Sequence, residues 1–136
     1  MKQQEIFNKA AVHLMGMEGP SVDYRGEDGG VCVYRGEDDG GCYNGQMCAV
    51  GVFIDDEHYD EELEGTGITG NRSVSHAVAK SWGQKHLTID QLSLLADLQD
   101  AHDLISDHNW SRSIVASLDG VATKHYLRFD PEGASV

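Results

Sequence analysis

The chain of 136 residues has few cations, few cysteines and no long apolar run. It carries ten Lys and Arg against 23 Asp and Glu, and this net charge of −13 disfavours binding to nucleic acid or anionic membranes. No window approaches the roughly 20 apolar residues that a membrane span needs, and no charged-then-apolar leader precedes a cleavage site. Three cysteines without a secretion signal indicate reduced thiols, so the sequence predicts a cytoplasmic protein.

The acidic residues that are present are concentrated in one part of the chain. Residues 18–64 contain fourteen acids and two arginines, a local balance of −12, whereas the remainder of the chain is nearly neutral. Hydrophobic residues make up 40% of the composition, which is ordinary for a soluble globular protein. We therefore expect a single domain over residues 1–136, with an acidic glycine-rich loop region at 18–45 and a frayed tail at 130–136.

Apolar residues recur at helical spacing in four segments. Residues 3–15 and 71–82 each present one apolar face, and Gly16 and Gly83 follow them as stop signals, although the serines of the second segment leave a strand open. Thr88-Ile89-Asp90-Gln91 matches a capping box and predicts a helix to about residue 107. A further helix is predicted from about residue 109.

Two other segments favour strands. Residues 31–35 are short, β-branched and aromatic, and residues 46–54 form the longest apolar run, so we expect them to pair as an antiparallel hairpin across an Asn-Gly turn. A short helix is expected at 55–63, with Asp55 as its cap, and a last strand at 125–129. The predicted fold class is α+β, with four or five helices packed around this hairpin.

Several short motifs resemble a set of small, uncharacterised proteins from tailed phages and prophage regions. The similarity covers most of residues 4–115 and rests on a Gln4–Phe7 helix start, Tyr34-Arg35-Gly36, Cys48-Ala49-Val50-Gly51, Asp56-Glu57-x-Tyr59, Glu64-Gly65, Leu98-Gln99-x-x-His102-Asp103 and Trp110. The resemblance implies a phage-encoded protein in the host cytoplasm and assigns no catalytic residue. The duplicated Tyr-Arg-Gly-Glu-Asp stretch and the long acidic insertion depart from the shorter hairpin of the set.

The acidic region predicts an interaction protein that binds a basic surface on a host protein, for example a nucleic-acid-handling or defence factor, and inhibits it. Its carboxylates are the candidate contact residues. They are Glu27, Asp28, Glu37, Asp38, Asp39, Asp55, Asp56, Glu57, Asp60, Glu61 and Glu62. A solubilising acidic face is the alternative interpretation of the same residues.

A different class of function is a small-ligand module that sequesters a nucleotide. Its candidate residues are Tyr24, Arg25, Tyr34 and Arg35, because an aromatic face and a guanidinium can stack on a base and bind a phosphate, together with His102. His102 lies among Asp97, Asp100 and other acids of the main predicted helix, which also suits a solvated polar face.

The sequence predicts no catalytic residue, metal site or cofactor. Cys32, Cys42 and Cys48 lack the close spacing of a zinc site with His58, and a buried or exposed free thiol is the simpler interpretation. Gly65-x-Gly67-x-x-Gly70 matches a dinucleotide fingerprint by letter, but no buried strand precedes it. An enzyme would need a metal or an activated acid near His102, and neither is indicated.

Overall fold

Four α-helices form the body of the domain in the part of the chain that the structure describes. The structure, a computed structural model, describes residues 1–17, 22–26, 29–32, 49–59, 68, 72–103 and 110–131. The helices are α1 (Gln3–Met15), α2 (Arg72–Ser81), α3 (Ile89–Asp103) and α4 (Trp110–Lys124). Helix α3 packs against α4, and α1 packs against both, so the three enclose one apolar core.

The expected α+β fold is wrong, because the described core is all-helical. A two-stranded antiparallel ribbon does occur, but it pairs β1 (Val22–Gly26) with β2 (Gly29–Cys32), not residues 31–35 with 46–54. Residues 49–50 form a turn and Gly51–Phe53 a 3-10 helix. None of the described core side chains belongs to a strand.

The described part of the apolar run, residues 49–54, forms a turn and a 3-10 helix because of which of its apolar side chains are buried. Ala49, Val50, Phe53 and Ile54 are buried, and these positions repeat four residues apart instead of alternating. A short apolar run does not by itself distinguish a strand from buried helical turns, and tertiary packing selected the turns. Lys9 of α1 lies 5.3 Å from the Phe53 ring centroid, and Trp82 packs edge-on against Phe53 at 5.4 Å.

The helices follow the predicted periodicity and capping. The capping box of α3 is confirmed: the Gln91 amide donates to Thr88 Oγ1 at 3.1 Å, and the Thr88 amide donates to Gln91 Oε1 at 2.9 Å. Helix α1 buries Ile6, Phe7 and Leu14 along its predicted face. The predicted end of α3 at about residue 107 lies outside the described residues.

One other local prediction is confirmed in part and another is wrong. Within the helical segment expected at 55–63, Asp56–His58 form a 3-10 helix with Asp55 at its N-cap position, but the Asp55 side chain makes no capping hydrogen bond, and residues 60–63 lie outside the described residues. The strand expected at 125–129 is absent, because residues 125–126 form a turn and residues 127–129 have no regular secondary structure. Instead, Gln4 of α1 holds this segment: its Nε2 donates to the Arg128 carbonyl and its Oε1 accepts from the Arg128 amide, both at 2.9 Å. Phe129 packs edge-on against Phe7 at 5.4 Å.

Helices α2 and α4 end in the same hydrogen-bonded motif with different residues at the left-handed position. Gly83 occupies it after α2, with φ of 71°, and Tyr126 occupies it after α4, with φ of 56°. The Leu127 amide then donates to the Ala122 carbonyl at 2.8 Å, as in a Schellman motif. The Tyr126 side chain is 96% exposed, so little packing offsets its backbone strain.

We expect Tyr126→Gly to raise the free energy of unfolding by about 1 kcal/mol, because glycine adopts the left-handed conformation without a Cβ penalty. Thermal unfolding followed by circular dichroism should show a gain of roughly 3–5 °C. Tyr126→Ala removes the same aromatic ring and keeps the Cβ, so it should leave the stability nearly unchanged. Equal effects of the two substitutions would show that the backbone is not the cause.

Candidate functional site

The described acids of the predicted partner surface lie on one short exposed segment. Asp55, Asp56 and Glu57 are exposed, and the 3-10 helix Asp56–His58 packs against α2. Ser81 fixes this segment, because its Oγ accepts from the Asp55 amide and donates to the Ala77 carbonyl, both at 2.8 Å. The three carboxylates are therefore presented from a backbone that is anchored to a helix.

The other candidate contact residues of the acidic region lie outside the described residues. They are Glu27, Asp28, Glu37, Asp38, Asp39, Asp60, Glu61 and Glu62. Of the alternative ligand residues, Tyr24 and Arg25 lie on β1, whose backbone alone is described, and Tyr34 and Arg35 lie outside the described residues.

His102 is in the core and not on the polar face of α3. Its side chain is fully buried, and its ring packs edge-on against Trp110 at 5.7 Å. Its Nδ1 lies 3.5 Å from Nε2 of Gln99, one turn earlier on α3. Burial places His102 in contact with core residues, whereas a bound ligand would require access to the ring.

A polar network connects His102 to three other parts of the fold. The Val50 amide donates to Gln99 Oε1 at 3.1 Å, which turns the amide nitrogen of Gln99 toward His102 Nδ1. Trp110 Nε1 donates to the Leu14 carbonyl at 3.0 Å. The Gln99 amide nitrogen, a hydrogen-bond donor, therefore faces the Nδ1 edge of the ring. The network satisfies buried polar groups and joins α1, α3, α4 and the turn at Val50.

A second cluster, between α3 and the end of α4, contains Asp97, a carboxylate whose pKa is shifted from its ordinary value. Asp97 Oδ2 lies 2.7 Å from His125 Nε2 and 2.9 Å from Lys124 Nζ. Burial alone would raise the pKa of Asp97. The hydrogen bonds from His125 and Lys124 have a larger, opposite effect, so the pKa of Asp97 lies below its ordinary value. An ionised carboxylate only accepts, so His125 Nε2 carries a hydrogen.

Asp97 and Lys124 also line an open groove of about 260 Å³ between the two helices. Asp100, Ser117 and Gly120 contribute to the same groove. Asp97 orients the imidazole of His125, as a carboxylate does in catalytic acid–base pairs. The same contacts also fit a structural role, in which Asp97 joins α3 to the end of α4. Sequence reasoning placed Asp97 on a solvated face and missed His125 and Lys124, which lie 28 and 27 positions away.

The described residues contain neither a metal-binding cluster nor a membrane-spanning helix. Within the described residues, no group of three or more His, Cys, Asp or Glu side chains is arranged to hold a metal ion. Cys42 and Cys48 lie outside those residues, so this finding does not bear on a zinc site formed by the cysteines. Among the described helices, none is long and apolar enough to cross a membrane.

Comparisons with known proteins assign the chain to no family. No family model, curated protein or solved structure matches the chain. The similarity to phage and prophage proteins therefore remains a prediction from short motifs.

Proposed function

We propose that the protein is an acidic interaction protein that binds the basic surface of another protein. The observation that carries the proposal is the separation of charge along the chain: residues 18–64 hold fourteen of the 23 acids. Solubility alone does not require such concentration, because mixed charges spread over the surface serve that purpose. A concentrated field steers association with a basic partner and raises its rate.

The anchored segment at 55–57 supports the same proposal. Ser81 holds the backbone of Asp55 against α2, so the carboxylates of Asp55, Asp56 and Glu57 need little ordering when a partner binds. These side chains are exposed, and the Glu57 carboxylate lies 3.4 Å from Nε2 of the neighbouring His58. Exposed pairs of this kind are weak and exchange readily for a guanidinium or ammonium group.

The identity of the partner rests on the motif resemblance. A phage-encoded protein of this charge would meet host proteins whose basic grooves bind nucleic acid or act in defence. Occupying such a groove with carboxylates would inhibit the host protein by competing with phosphate groups. We therefore propose two further points besides binding to a basic surface: the partner is a host protein, and binding inhibits it.

The test compares two variants that change the net charge equally. Asp55→Lys/Asp56→Lys/Glu57→Lys reverses the anchored segment, and Glu5→Lys/Asp100→Lys/Asp119→Lys reverses three exposed acids outside residues 18–64. A partner captured from bacterial lysate at about 50 mM salt is identified, purified and titrated against the wild type and both variants. We expect the complex to weaken at least tenfold at about 500 mM salt.

The first variant should weaken the purified complex at least tenfold and the second by less than about twofold, because only the first removes contact residues. Circular dichroism melts establish that both variants fold. Equal weakening by the two variants would reduce the effect to net charge and would contradict a defined acidic face. A complex that resists salt, or no basic partner at all, would contradict acidic recognition.

A further inference from the structure

One stretch of this acidic chain has the opposite charge. Residues 65–89 contain no Asp or Glu, and they carry three cations and two histidines: Arg72, Lys80, Lys85, His76 and His86. In a protein with a net charge of −13, a run of 25 residues without an acid is a strong local departure. Such a patch attracts anions against the field of the whole molecule.

Helix α2 and the segment that follows it bring these side chains together. Arg72, His76 and Lys80 recur every four residues, which places them on one side of α2, and all three are exposed. The ring of His86 returns to this side, with its centroid 6.4 Å from that of His76. Two imidazoles and a guanidinium therefore lie within one or two turns of each other.

These groups surround a cavity of about 370 Å³ between α2 and α3. Its described lining consists of Arg72, Ser75, His76, His86, Leu87 and Leu92, none of which is acidic. The volume is in the usual range for small-molecule sites, about 300–1,000 Å³. One wall offers the N–H donors of Arg72, His76 and His86, and the other is formed by two leucines.

The position of the cavity at the start of α2 adds to its preference for anions. Arg72 begins this ten-residue helix, and the amides of a first helical turn have no partner within the helix. The helix dipole places partial positive charge at the same end. Ser75 Oγ donates to the Arg72 carbonyl at 3.0 Å, which fixes its hydroxyl beside the first turn.

We propose that this cavity binds the phosphate group of a small phosphate monoester, such as a mononucleotide. The Arg72 guanidinium contacts the phosphate in a bidentate manner. His76 and His86 each donate a ring N–H to it, since an imidazole has at least one N–H in either protonation state. Leu87 and Leu92 contact the organic part of the ester. The site is independent of the acidic segment and does not rest on the function proposed for it.

The test uses inorganic phosphate, adenosine 5′-monophosphate and adenosine as probes at constant ionic strength. Binding is measured by calorimetry and by the chemical shifts of the His76 and His86 rings in NMR spectra. We expect the monophosphate to bind at least tenfold more tightly than inorganic phosphate, since the leucines bury its organic part, and adenosine to bind at least tenfold more weakly than the monophosphate. Arg72→Gln should weaken monophosphate binding at least tenfold.

Arg112→Gln is the matched control, because Arg112 is also exposed in the first turns of a helix, α4, but lies outside the cavity. It should leave affinity unchanged, and a double variant His76→Gln/His86→Gln should lose affinity while retaining its melting temperature. Equal loss in Arg72→Gln and Arg112→Gln, or no shift of either imidazole with the monophosphate, would overturn the site. Equal affinity for phosphate and the monophosphate would overturn the role of the leucines.

Discussion

Replacing Trp110 with alanine is expected to lower the free energy of unfolding by about 3–5 kcal/mol, a large share of the roughly 5–15 kcal/mol available to a domain. Trp110 is 2% exposed and is among the largest fully buried or nearly buried side chains of the described core. Its removal leaves a cavity at the start of α4 and deletes the hydrogen bond to the Leu14 carbonyl. It also removes the edge-on contact with the His102 ring, so one side of this buried imidazole is no longer packed.

Chemical denaturation of the wild type, Trp110→Ala and Trp110→Phe measures this effect. Phenylalanine retains most of the packing and loses the N–H donor, so its cost should be smaller, about 1–2 kcal/mol. Trp82→Ala is the matched control, because Trp82 is half-buried and contacts the core through Phe53. A cost for Trp82→Ala that equals or exceeds the cost for Trp110→Ala would contradict the central place of Trp110.

The helices could be predicted because local and tertiary signals agree in them. The face of α1 with Ile6, Phe7 and Leu14 is continuous, and Gly16 ends it. In α3, the reciprocal hydrogen bonds of Thr88 and Gln91 form within four residues, so their pattern is visible in the sequence. Helix α4 continues through Gly120 to Lys124, because the neighbouring Leu118 and Val121 are buried and hold the helix in place.

The turn and 3-10 helix at residues 49–53 could not be predicted, because the β-forming composition of this segment and the Asn-Gly turn before it both favoured a strand. Strong β formers such as Val50, Val52 and Phe53 also pack well in a tight turn, and the core needed two adjacent buried pairs there. The amide of Val50 finds its partner in Gln99, a side chain 49 positions away. A strand would have satisfied the same amide from a neighbouring strand, and no local pattern distinguishes these two solutions.

Some residues of the candidate sites could be predicted from the sequence, and others could not. Exposed acids at 55–57 follow directly from composition, since charged side chains stay on the surface. The burial of His102 was missed because its acidic neighbours on α3 suggested a polar face. Pairs such as His76 with His86 or Asp97 with His125 join different elements, and their partners become evident only when the helices are packed.

The second large effect is expected at Asp97, the carboxylate that joins α3 to the end of α4. Asp97→Asn should lower the free energy of unfolding at pH 7 by about 1–2 kcal/mol, because hydrogen bonds to charged groups in partly buried sites contribute this much. The Asp97 side chain is 21% exposed and that of His125 is 10% exposed, whereas the Lys124 side chain is 64% exposed. Solvent therefore screens the lysine more than the histidine, and most of the loss should belong to His125.

The effect of Asp97 should depend on pH in a defined direction. Its folded-state pKa lies below the ordinary value of 3.8, because the hydrogen bonds from His125 and Lys124 outweigh the opposing effect of burial. The ionised carboxylate therefore stabilises the fold fully above the pKa of the unfolded chain, about 4, and this stabilisation is lost as the pH falls through the folded-state pKa. The stability difference between wild type and Asp97→Asn should shrink as the pH falls below about 4.

Denaturation of both proteins between about pH 2 and pH 7 measures this difference, and the comparison cancels the titration of the other carboxylates. Double-mutant cycles with His125→Gln and with Lys124→Met then divide the coupling between the two partners. The His125 cycle should give the larger coupling energy, because its hydrogen bond is shorter and better protected from water. A stability difference that grows at low pH would mean that the folded state raises the Asp97 pKa. A larger Lys124 coupling would show that direct Coulomb attraction, and not the shielded hydrogen bond, holds the end of α4 against α3.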